Sequence, residues 1–341
     1  MNGPVILDKD LISASTEVKA VIIKIAEVAV NLSRIISLGK LCQSLDKAST
    51  KSDGDDKKNL NIIADEAYMN NLQDTEVRYY SSEEEKVVVE LNSKGCIAMA
   101  IDPLDGFPNI DTNVGIGSIF SMRKIERKSV KIGDDLNKTF LEPGNKQIAA
   151  GYIIFGPQTM MVLTLGGGVQ EYTLDRDLNR FFLTDPQKKI PGERREYDVN
   201  LSNSKHWSKQ IQKYIEDSNV GEFGHSGLNC NIRWVASLVA ETHSILNRGG
   251  IFIYPADQRK DYRFGLLGIV HKCAPIAFLI EQAGGSSTDC DNRILDIAAT
   301  SLDSRTPFAF GSKKEVRRLQ AYHSLPIEEF SPLFGKRGLF N

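Results

Sequence analysis

The chain has 341 residues, of which 41% are hydrophobic and 25% are charged, and its formal net charge at pH 7 is −2. This composition is typical of a globular protein with one large or two medium domains, and the weak charge does not favour nucleic acid or an anionic membrane. The five cysteines form no CxxC pair, and the chain has neither a signal peptide nor an apolar run of about 18 residues. We therefore expect reduced thiols, a cytoplasmic location and no membrane segment.

The first part of the chain contains two predicted helices and one strand. Apolar residues recur at helical spacing over 16–38, and a second helix is predicted over Asn61–Leu72. The polar, glycine-containing stretch 46–59 between them is typical of a loop. A short strand is then predicted at Glu76–Tyr80.

The next segment has the pattern of a sheet. A buried strand is predicted at Cys96–Ile101, and it ends in a turn that begins at Asp102. Short strands separated by turn residues follow, which is typical of an antiparallel meander. They are predicted at Gly115–Ile125, Ile148–Phe155, Thr159–Leu165, Val169–Leu174 and Arg180–Leu183. The three glycines at 166–168 indicate a hairpin turn rather than a phosphate-binding loop, because no helix follows them.

The charged, proline-containing stretch 184–198 suggests a boundary between two α/β domains, 1–190 and 191–341. Beyond it, helices and strands alternate, which predicts a layered α/β or α+β fold. The predicted helices are Lys205–Ile215, Arg233–Leu246, Pro275–Ala283 and 313–322, and the predicted strands are Gly250–Tyr254, 266–271, 294–298 and 307–310.

Four carboxylates follow two of the predicted strands. Glu83 and Glu84 come after one strand, and Asp102 and Asp105 come after the next. In open α/β sheets ligands gather at the carboxyl ends of the strands, and four carboxylates there would need a counter-charge such as Mg²⁺. Two such cations can activate a water and stabilise the leaving oxygen of a phosphate ester. The alternative is that both groups are solvated polar turns.

The motifs that contain these carboxylates resemble those of class 1 fructose-1,6-bisphosphatases, which are lithium-sensitive, Mg²⁺-dependent sugar phosphatases. The stretch IDPLDGFPNIDTNVGIGSIFSM resembles the family signature, and SSEEE resembles its SEE motif. The resemblance continues through most of the chain, in the segments GDDKKNLNIIADE, PGNKQIAAGYIIFGPQTMMVLTLG, RGGIFIYPAD, PIAFLIEQAGG and ILDIAATSL. The form is similar to the enzymes of proteobacteria.

This resemblance implies a layered α/β/α/β/α fold, a homotetramer, and hydrolysis of the 1-phosphate of fructose 1,6-bisphosphate with two or more Mg²⁺ ions per subunit. The implied metal ligands are Glu83, Glu84, Asp102, Asp105 and the carbonyl oxygen of Leu104. The implied catalytic residues are Asp55 and Glu84. The implied substrate contacts are Asp105, Gly106, Asn109, Asn200, Arg233 and Tyr254, of which Arg233 is expected to reach a neighbouring subunit.

The chain departs from the family pattern at positions that touch metal, phosphate or sugar. Where the family turn has two serines, this chain has Phe107 and Pro108, and proline offers no N–H group to a phosphate. Lys272 takes the place of the last metal-binding Glu, and it is expected to form an ion pair with Glu84 or Asp102. The other departures are Asn61 in place of an Asp, Leu266 in place of a basic residue and Gly268 in place of an Arg.

These departures leave three hypotheses open. The first is a fructose-1,6-bisphosphatase with weakened activity in gluconeogenesis or carbon fixation. The second is a catalytically inactive paralogue that acts as a binding or assembly subunit. The third is a sugar phosphatase of altered specificity, because the loss of basic residues suits a substrate with only one phosphate.

Overall fold

Two β-sheets and three layers of helices alternate through the molecule. In this computed structural model the described residues are 6–11, 14–39, 53–85, 87–125, 135–223 and 229–326, and within them the side chains of 8, 10, 53–59 and 223 are not described. No helix in this part of the chain is long and apolar enough to cross a lipid bilayer.

The first sheet has eight strands in the order β2-β1-β3-β4-β5-β6-β7-β8. Its strands are β1 (Val77–Ser82), β2 (Val89–Glu90), β3 (Ile97–Asp105), β4 (Ile116–Lys124), β5 (Gln147–Phe155), β6 (Thr159–Thr164), β7 (Val169–Asp175) and β8 (Arg180–Asp185). Strands β1 and β3 are parallel, whereas β3 to β8 pair antiparallel, each with the next. The predicted meander is therefore confirmed.

The second sheet has five strands in the order β10-β9-β11-β15-β13, and a separate two-stranded ribbon pairs β12 with β14. The strands are β9 (Glu196–Asp198), β10 (Asn231–Ile232), β11 (Ile251–Tyr254), β12 (Leu267–Gly268), β13 (Ser286–Thr288), β14 (Arg305–Thr306) and β15 (Phe308–Gly311). Strand β9 is parallel to β10 and β11, and β15 is antiparallel to β11 and β13.

The α-helices are α1 (Leu7–Asp10), α2 (Thr16–Leu38), α3 (Asp53–Leu72), α4 (Lys138–Leu141), α5 (Lys209–Val220), α6 (Leu238–Arg248), α7 (Ala274–Gln282) and α8 (Lys313–His323). Helix α2 follows the predicted apolar pattern, because its buried residues lie on one face, and Ser15 caps its first turn by accepting a hydrogen bond from Val18 N. A π-helix, Ile269–Cys273, leads directly into α7.

Four hydrophobic cores lie among the described residues, and the fourth lies between strands β1 and β3 and the π-helix that precedes α7. The first lies between α2 and α3 and one face of the first sheet, and the second lies between the two sheets, where α6 and α7 pack. The third lies between the second sheet and helices α5 and α8. The order of layers is thus α/β/α/β/α, as the resemblance implied.

Several local predictions are wrong. The predicted loop 46–59 is helical from Asp53, and its first part lies outside the described residues. The predicted strand 294–298 contains a 3-10 helix at Ile294–Asp296, and the predicted strand 266–271 ends after Gly268 and continues as the π-helix. In both stretches buried aliphatic residues form a short apolar run, which does not distinguish a strand from a tight helix.

Two helices begin later than predicted, and in both a serine sets the start. Helix α5 begins at Lys209 and α6 at Leu238, after the capping residues Ser208 and Ser237. Each serine hydroxyl accepts a hydrogen bond from the backbone N–H three residues later. Arg233 is therefore not at the start of a helix; it follows strand β10.

Candidate active site

The parallel pair β1 and β3 brings the predicted carboxylates together. Ser82 at the end of β1 is level with Ile101 of β3, and Glu83 N donates a hydrogen bond to the Ile101 carbonyl over 3.0 Å. Glu83, which follows β1, and Asp102, which lies within β3 after Ile101, are therefore side by side at the same end of the two strands. The expectation that these carboxylates meet at the carboxyl ends of neighbouring strands agrees with this geometry.

Strand β3 continues through the stretch that was predicted to be a turn. All nine of its residues, including Asp102, Leu104 and Asp105, are buried. Its pairing with β4 is irregular between Asp102 and Asp105, and Asp102 Oδ1 accepts a hydrogen bond from Leu104 N over 3.2 Å. The irregularity lets both carboxylates face the same small volume, although their spacing in a regular strand would put them on opposite faces.

Asp105 is fixed by the start of helix α6. Its Oδ2 accepts a hydrogen bond from Val239 N over 2.9 Å, and the Ser237 hydroxyl lies 3.5 Å away. Burial raises the pKa of Asp105, whereas the charge of Lys272 and the backbone N–H of Val239 lower it. A carboxylate here complements the free N–H groups and the dipole of the helix N-terminus, so Asp105 joins the first sheet to the middle helical layer.

Lys272 places an ammonium group among the carboxylates. Its Nζ lies 2.7 Å from Glu83 Oε2, 3.2 Å from Asp102 Oδ2 and 3.9 Å from Asp105 Oδ1. The expected pair with Asp102 is present, but the second partner is Glu83 rather than Glu84. Burial disfavours a charged lysine, yet the three acidic neighbours outweigh it and raise the pKa of Lys272. The lysine is therefore charged at neutral pH.

The acidic partners respond to Lys272 in different ways. Burial by itself would raise the pKa of the Glu83 carboxyl, but the charge and hydrogen bond of Lys272 outweigh burial and lower that pKa. For Asp102 burial dominates and raises the pKa well above its ordinary value, with Lys272 opposing the rise. Of the two acidic partners of Lys272, Glu83 is therefore the one whose ionised form is more strongly favoured.

Glu84 lies beside this cluster and has a different partner. Its Oε1 accepts a hydrogen bond from Asn61 Nδ2 over 2.6 Å. Desolvation of its carboxyl and the neighbouring charge of Glu83 raise the pKa of Glu84. The amide of Asn61 can donate this hydrogen bond, whereas an ionised Asp at position 61 would repel Glu84 unless a cation lay between them.

The cluster does not fit a divalent metal as it stands. In the described part of the chain no group of three or more His, Cys, Asp or Glu side chains is arranged to hold a metal ion. A cation held by Glu83 and Asp102 would face the Lys272 ammonium at close range. Two positive groups of charge +2 and +1 about 4 Å apart repel by about 8 kcal/mol at an effective dielectric constant of about 20.

The turn after Asp105 packs against the segment that leads into α6. Gly106 has a φ of 78°, and a Cβ there would lie 2.7 Å from Ser237 Oγ, so only glycine fits without a shift. Asn109 Nδ2 donates to the Val235 carbonyl over 3.0 Å, and Asn109 N donates to the Gly106 carbonyl. Because the N–H of Asn109 is used within the turn and Pro108 has none, this turn offers few donors to a phosphate.

Arg233 is engaged with a buried acid in a separate group. Its Nε donates to Glu196 Oε2 over 3.1 Å, and Arg194 and Arg248 contact the same carboxylate. The hydrogen bond from Arg248 is the main cause that lowers the pKa of Glu196 to about 2. The Arg233 side chain is nevertheless 48% exposed.

Asn200 and Tyr254 lie together, but they do not surround a phosphate-sized space. Both line a cavity of about 10 Å³, which is about enough for one water molecule. Asn200 Oδ1 accepts a hydrogen bond from Ser202 N and so caps the 3-10 helix Leu201–His206. The Tyr254 ring lies 6.5 Å from the ring of Trp234, which follows Arg233 in the chain.

The predicted site residues thus form distinct groups. The structure brings Glu83, Asp102 and Asp105 together with Lys272, and Glu84 lies beside them. Asp55 lies in α3, where its side chain is outside the described residues. The sequence reasoning missed the contact of Asp105 with Ser237 and Val239, which the serine before an apolar helical stretch could have indicated. It also missed Glu196, because no local pattern indicates that this residue meets three arginines.

Comparisons with known proteins identify the family. Residues 5–186 match the family model "Fructose-1-6-bisphosphatase, N-terminal domain", and residues 190–324 match the corresponding C-terminal domain. A class 1 fructose-1,6-bisphosphatase from Bradyrhizobium sp. is 46% identical over 96% of this chain and 95% of its own length. One from Paracoccus denitrificans is 47% identical over 93% of this chain and 93% of its own length.

The crystal structure of Leishmania major fructose-1,6-bisphosphatase in holo form superposes with a TM-score of 0.85 at 30% identity, covering 94% of this chain and 100% of that one. The chain belongs to the class 1 fructose-1,6-bisphosphatase family.

Proposed function

We propose that this protein hydrolyses the 1-phosphate of fructose 1,6-bisphosphate to fructose 6-phosphate, with weakened activity. The observation that carries the proposal is the match to both family models together with relatives of that name at 46% identity over about 95% of the chain. The gathering of Glu83, Asp102 and Asp105 at one sheet edge is consistent with it.

The family is metal-dependent, and we extend the proposal to Mg²⁺ as the metal, with two or more ions per subunit. The chemistry that such a metal would supply is positive charge at the phosphate oxygens. Glu83 and Asp102, which would hold such an ion, are paired with Lys272, and this competition is our reason for expecting slow turnover.

In the proposed reaction a water attacks the 1-phosphorus, the bond from phosphorus to the sugar oxygen breaks, and that oxygen takes up a proton and leaves as the 1-hydroxyl of fructose 6-phosphate. Glu84 is our candidate for the group that takes the proton of the water. Its carboxyl lies outside the ion pairs of Lys272 described above, and its raised pKa brings it nearer to neutral pH. Asp55 is a second candidate for orienting that water, from its position in the family motif.

Substrate binding is assigned to two regions. Asp105, Gly106 and Asn109 would face the reacting phosphate. From the family resemblance we assign the distal phosphate to Asn200, Arg233 and Tyr254, although Asn200 and Tyr254 line a space of only about 10 Å³ within one subunit. The exposed guanidinium of Arg233 is the charged member of that set. In a homotetramer, which we also propose, Arg233 would act on the site of a neighbouring subunit.

Phosphate release from fructose 1,6-bisphosphate in MgCl₂ tests the proposed reaction. The control is Glu84→Gln, which preserves the shape of a solvent-exposed side chain. We expect slow release by the natural protein and a rate lower by about 10²–10⁴-fold in the variant, because a general base typically contributes this much. Equal rates in the two proteins would remove the support for hydrolysis at this site.

A second candidate function is a catalytically inactive subunit that binds sugar phosphate or assembles with an active relative. The position of the Lys272 ammonium within the carboxylate cluster favours it. If hydrolysis is absent, binding of fructose 6-phosphate or co-assembly with an intact family member would support this role. A phosphatase of altered specificity is the third candidate, and a panel of sugar mono- and bisphosphates tests it.

We also propose that the chain is divided into domains 1–190 and 191–341 and that it is cytoplasmic. The first sheet ends at Asp185 and the second begins at Glu196, which supports a boundary between them. Limited proteolysis within 186–195 tests the boundary, since a linker between domains is the expected site of early cleavage.

A further inference from the structure

Two positions in the carboxylate cluster differ from the family pattern in the same electrostatic direction. Position 272 carries a lysine and position 61 an asparagine, where the family resemblance implies carboxylates. Both changes make the cluster less negative. A less negative cluster needs less positive charge from a bound metal. Both substitutions therefore reduce the need for a metal ion.

The carboxylates of the cluster have protein partners that take up the oxygen atoms a metal would need. Both oxygens of Glu83 contact Lys272 Nζ, at 2.8 and 2.7 Å. Asp102 accepts from Leu104 N and contacts Lys272, and Asp105 accepts from Val239 N.

Glu84 completes this pattern through the Asn61 amide. Its bond of 2.6 Å connects helix α3 to the end of β1 without a bridging cation. The ammonium donates to Glu83 and forms an ion pair with Asp102, and the amide donates to Glu84, so that they contact three carboxylates that a divalent ion would otherwise bridge.

We propose that Lys272, assisted by Asn61, is a built-in replacement for the divalent metal, so that this centre is held together without a metal ion. A metal can use Glu83 and Asp102 only after the Lys272 side chain leaves them. Moving the Lys272 side chain, which is only 17% exposed, into solvent would leave Glu83 and Asp102 without their counter-charge.

This inference concerns the protein without substrate, and the proposed hydrolysis would additionally require Mg²⁺ to displace Lys272 when the substrate phosphate is bound. The test is calorimetric titration of the full-length protein with Mg²⁺ and with Mn²⁺, combined with thermal unfolding in EDTA and in MgCl₂. We expect no saturable binding at the cluster and the same Tm in both buffers. Saturable binding or a Mg²⁺-dependent rise in Tm that Glu83→Gln abolishes would overturn the proposal.

The double variant Asn61→Asp with Lys272→Glu supplies the positive comparison. We expect it to bind Mg²⁺ at least about 100-fold more tightly than the natural protein, because it regains two carboxylates and loses the repelling ammonium. Its Tm should fall in EDTA and recover in MgCl₂. A double variant that folds but binds no metal would contradict the proposal, and if it does not fold, the titration of the natural protein still decides.

Discussion

Lys272 and Glu83 form a two-oxygen ion pair across 189 residues of sequence, with Nζ 2.8 Å from Oε1 and 2.7 Å from Oε2. The pair connects the end of β1 to the π-helix that precedes α7. Asp102, at 1% exposure, lies on the other side of the same ammonium. The Lys272 ammonium is therefore the counter-charge of both Glu83 and Asp102.

Replacing Lys272 by Met should destabilise the fold strongly. Methionine preserves much of the side-chain length, but it leaves Glu83 and the buried Asp102 without a counter-charge. Removing one partner of a buried ion pair typically costs about 3–5 kcal/mol, and we expect a loss of that size in the free energy of unfolding. Urea unfolding at neutral pH measures it.

The control for this prediction is Lys94→Met, which makes the same chemical change at an exposed lysine. Surface substitutions of this kind usually change stability by no more than about 0.5 kcal/mol. A Lys272→Met variant that unfolds as late as the Lys94→Met variant would show that the ammonium does not stabilise the cluster.

Gly106→Ala should also destabilise the protein, through the backbone rather than through charge. The φ of 78° disfavours any residue with a Cβ, and that Cβ would meet the hydroxyl and Cβ of Ser237, the capping residue of α6. We expect a loss of about 1–3 kcal/mol in urea unfolding. Gly167→Ala is the matched control, because a Cβ there meets nothing within 4 Å, and a similar loss in both variants would refute the steric explanation.

The layered fold could be predicted from the sequence because its signals are repeated many times. Strands β4 to β8 alternate with turn residues, and α2 has a long apolar stripe, so single ambiguous residues do not change the interpretation. The short apolar runs at 266–271 and 294–298 were misassigned because they are buried on several sides. In such a run local periodicity cannot tell a strand from a π-helix or 3-10 helix.

The candidate site was predictable in its carboxylates and much less so in its partners. The sequence indicated that Glu83 and Asp102 follow neighbouring strands, and it placed Lys272 next to them through the family pattern. It did not indicate that the Lys272 ammonium contacts both carboxylate oxygens of Glu83, or that Glu84 accepts a hydrogen bond from Asn61 instead. That choice depends on how the π-helix docks on the sheet, which is a tertiary property that no local pattern contains.

The carboxylate Glu196 should make stability depend on pH in the acid range. Its pKa in the folded protein is about 2, below the ordinary value of a glutamate, with the hydrogen bond from Arg248 as the main cause. A depressed pKa stabilises the fold above the unfolded-state pKa of about 4.3, and this contribution is lost as the pH falls toward 2. Glu196→Gln should therefore lower the free energy of unfolding by about 3 kcal/mol at pH 7 and by much less near pH 2.

Urea unfolding of both proteins across this pH range measures the difference. The control is Glu216→Gln, at a glutamate whose side chain is 65% exposed and lies beside Lys213. We expect its effect to stay small at every pH, since exposed pairs contribute about 0–1 kcal/mol. A Glu196→Gln effect that does not change between pH 7 and pH 2 would mean that its ion pairs do not stabilise the fold.

Restoring the family residues should raise the rate of phosphate release. Comparing a partly restored with a fully restored variant identifies which substitution limits that rate. The variant with Phe107→Ser, Pro108→Ser, Asn61→Asp and Lys272→Glu regains hydroxyl and N–H donors for the phosphate and a cluster without the ammonium. We expect its rate in MgCl₂ to exceed that of the natural protein by at least about 100-fold, because single transition-state contacts typically contribute 10²–10³-fold.

The serine pair alone, Phe107→Ser with Pro108→Ser, is the comparison that separates the two causes. It restores the phosphate side of the site but leaves the Lys272 ammonium 2.7 Å from Glu83. We therefore expect its rate to stay within about tenfold of the natural protein, since the missing positive charge at the phosphate is the larger loss. If the serine pair alone reached the rate of the four-residue variant, the limiting substitutions would be Phe107 and Pro108, which remove donors to the phosphate, rather than Lys272.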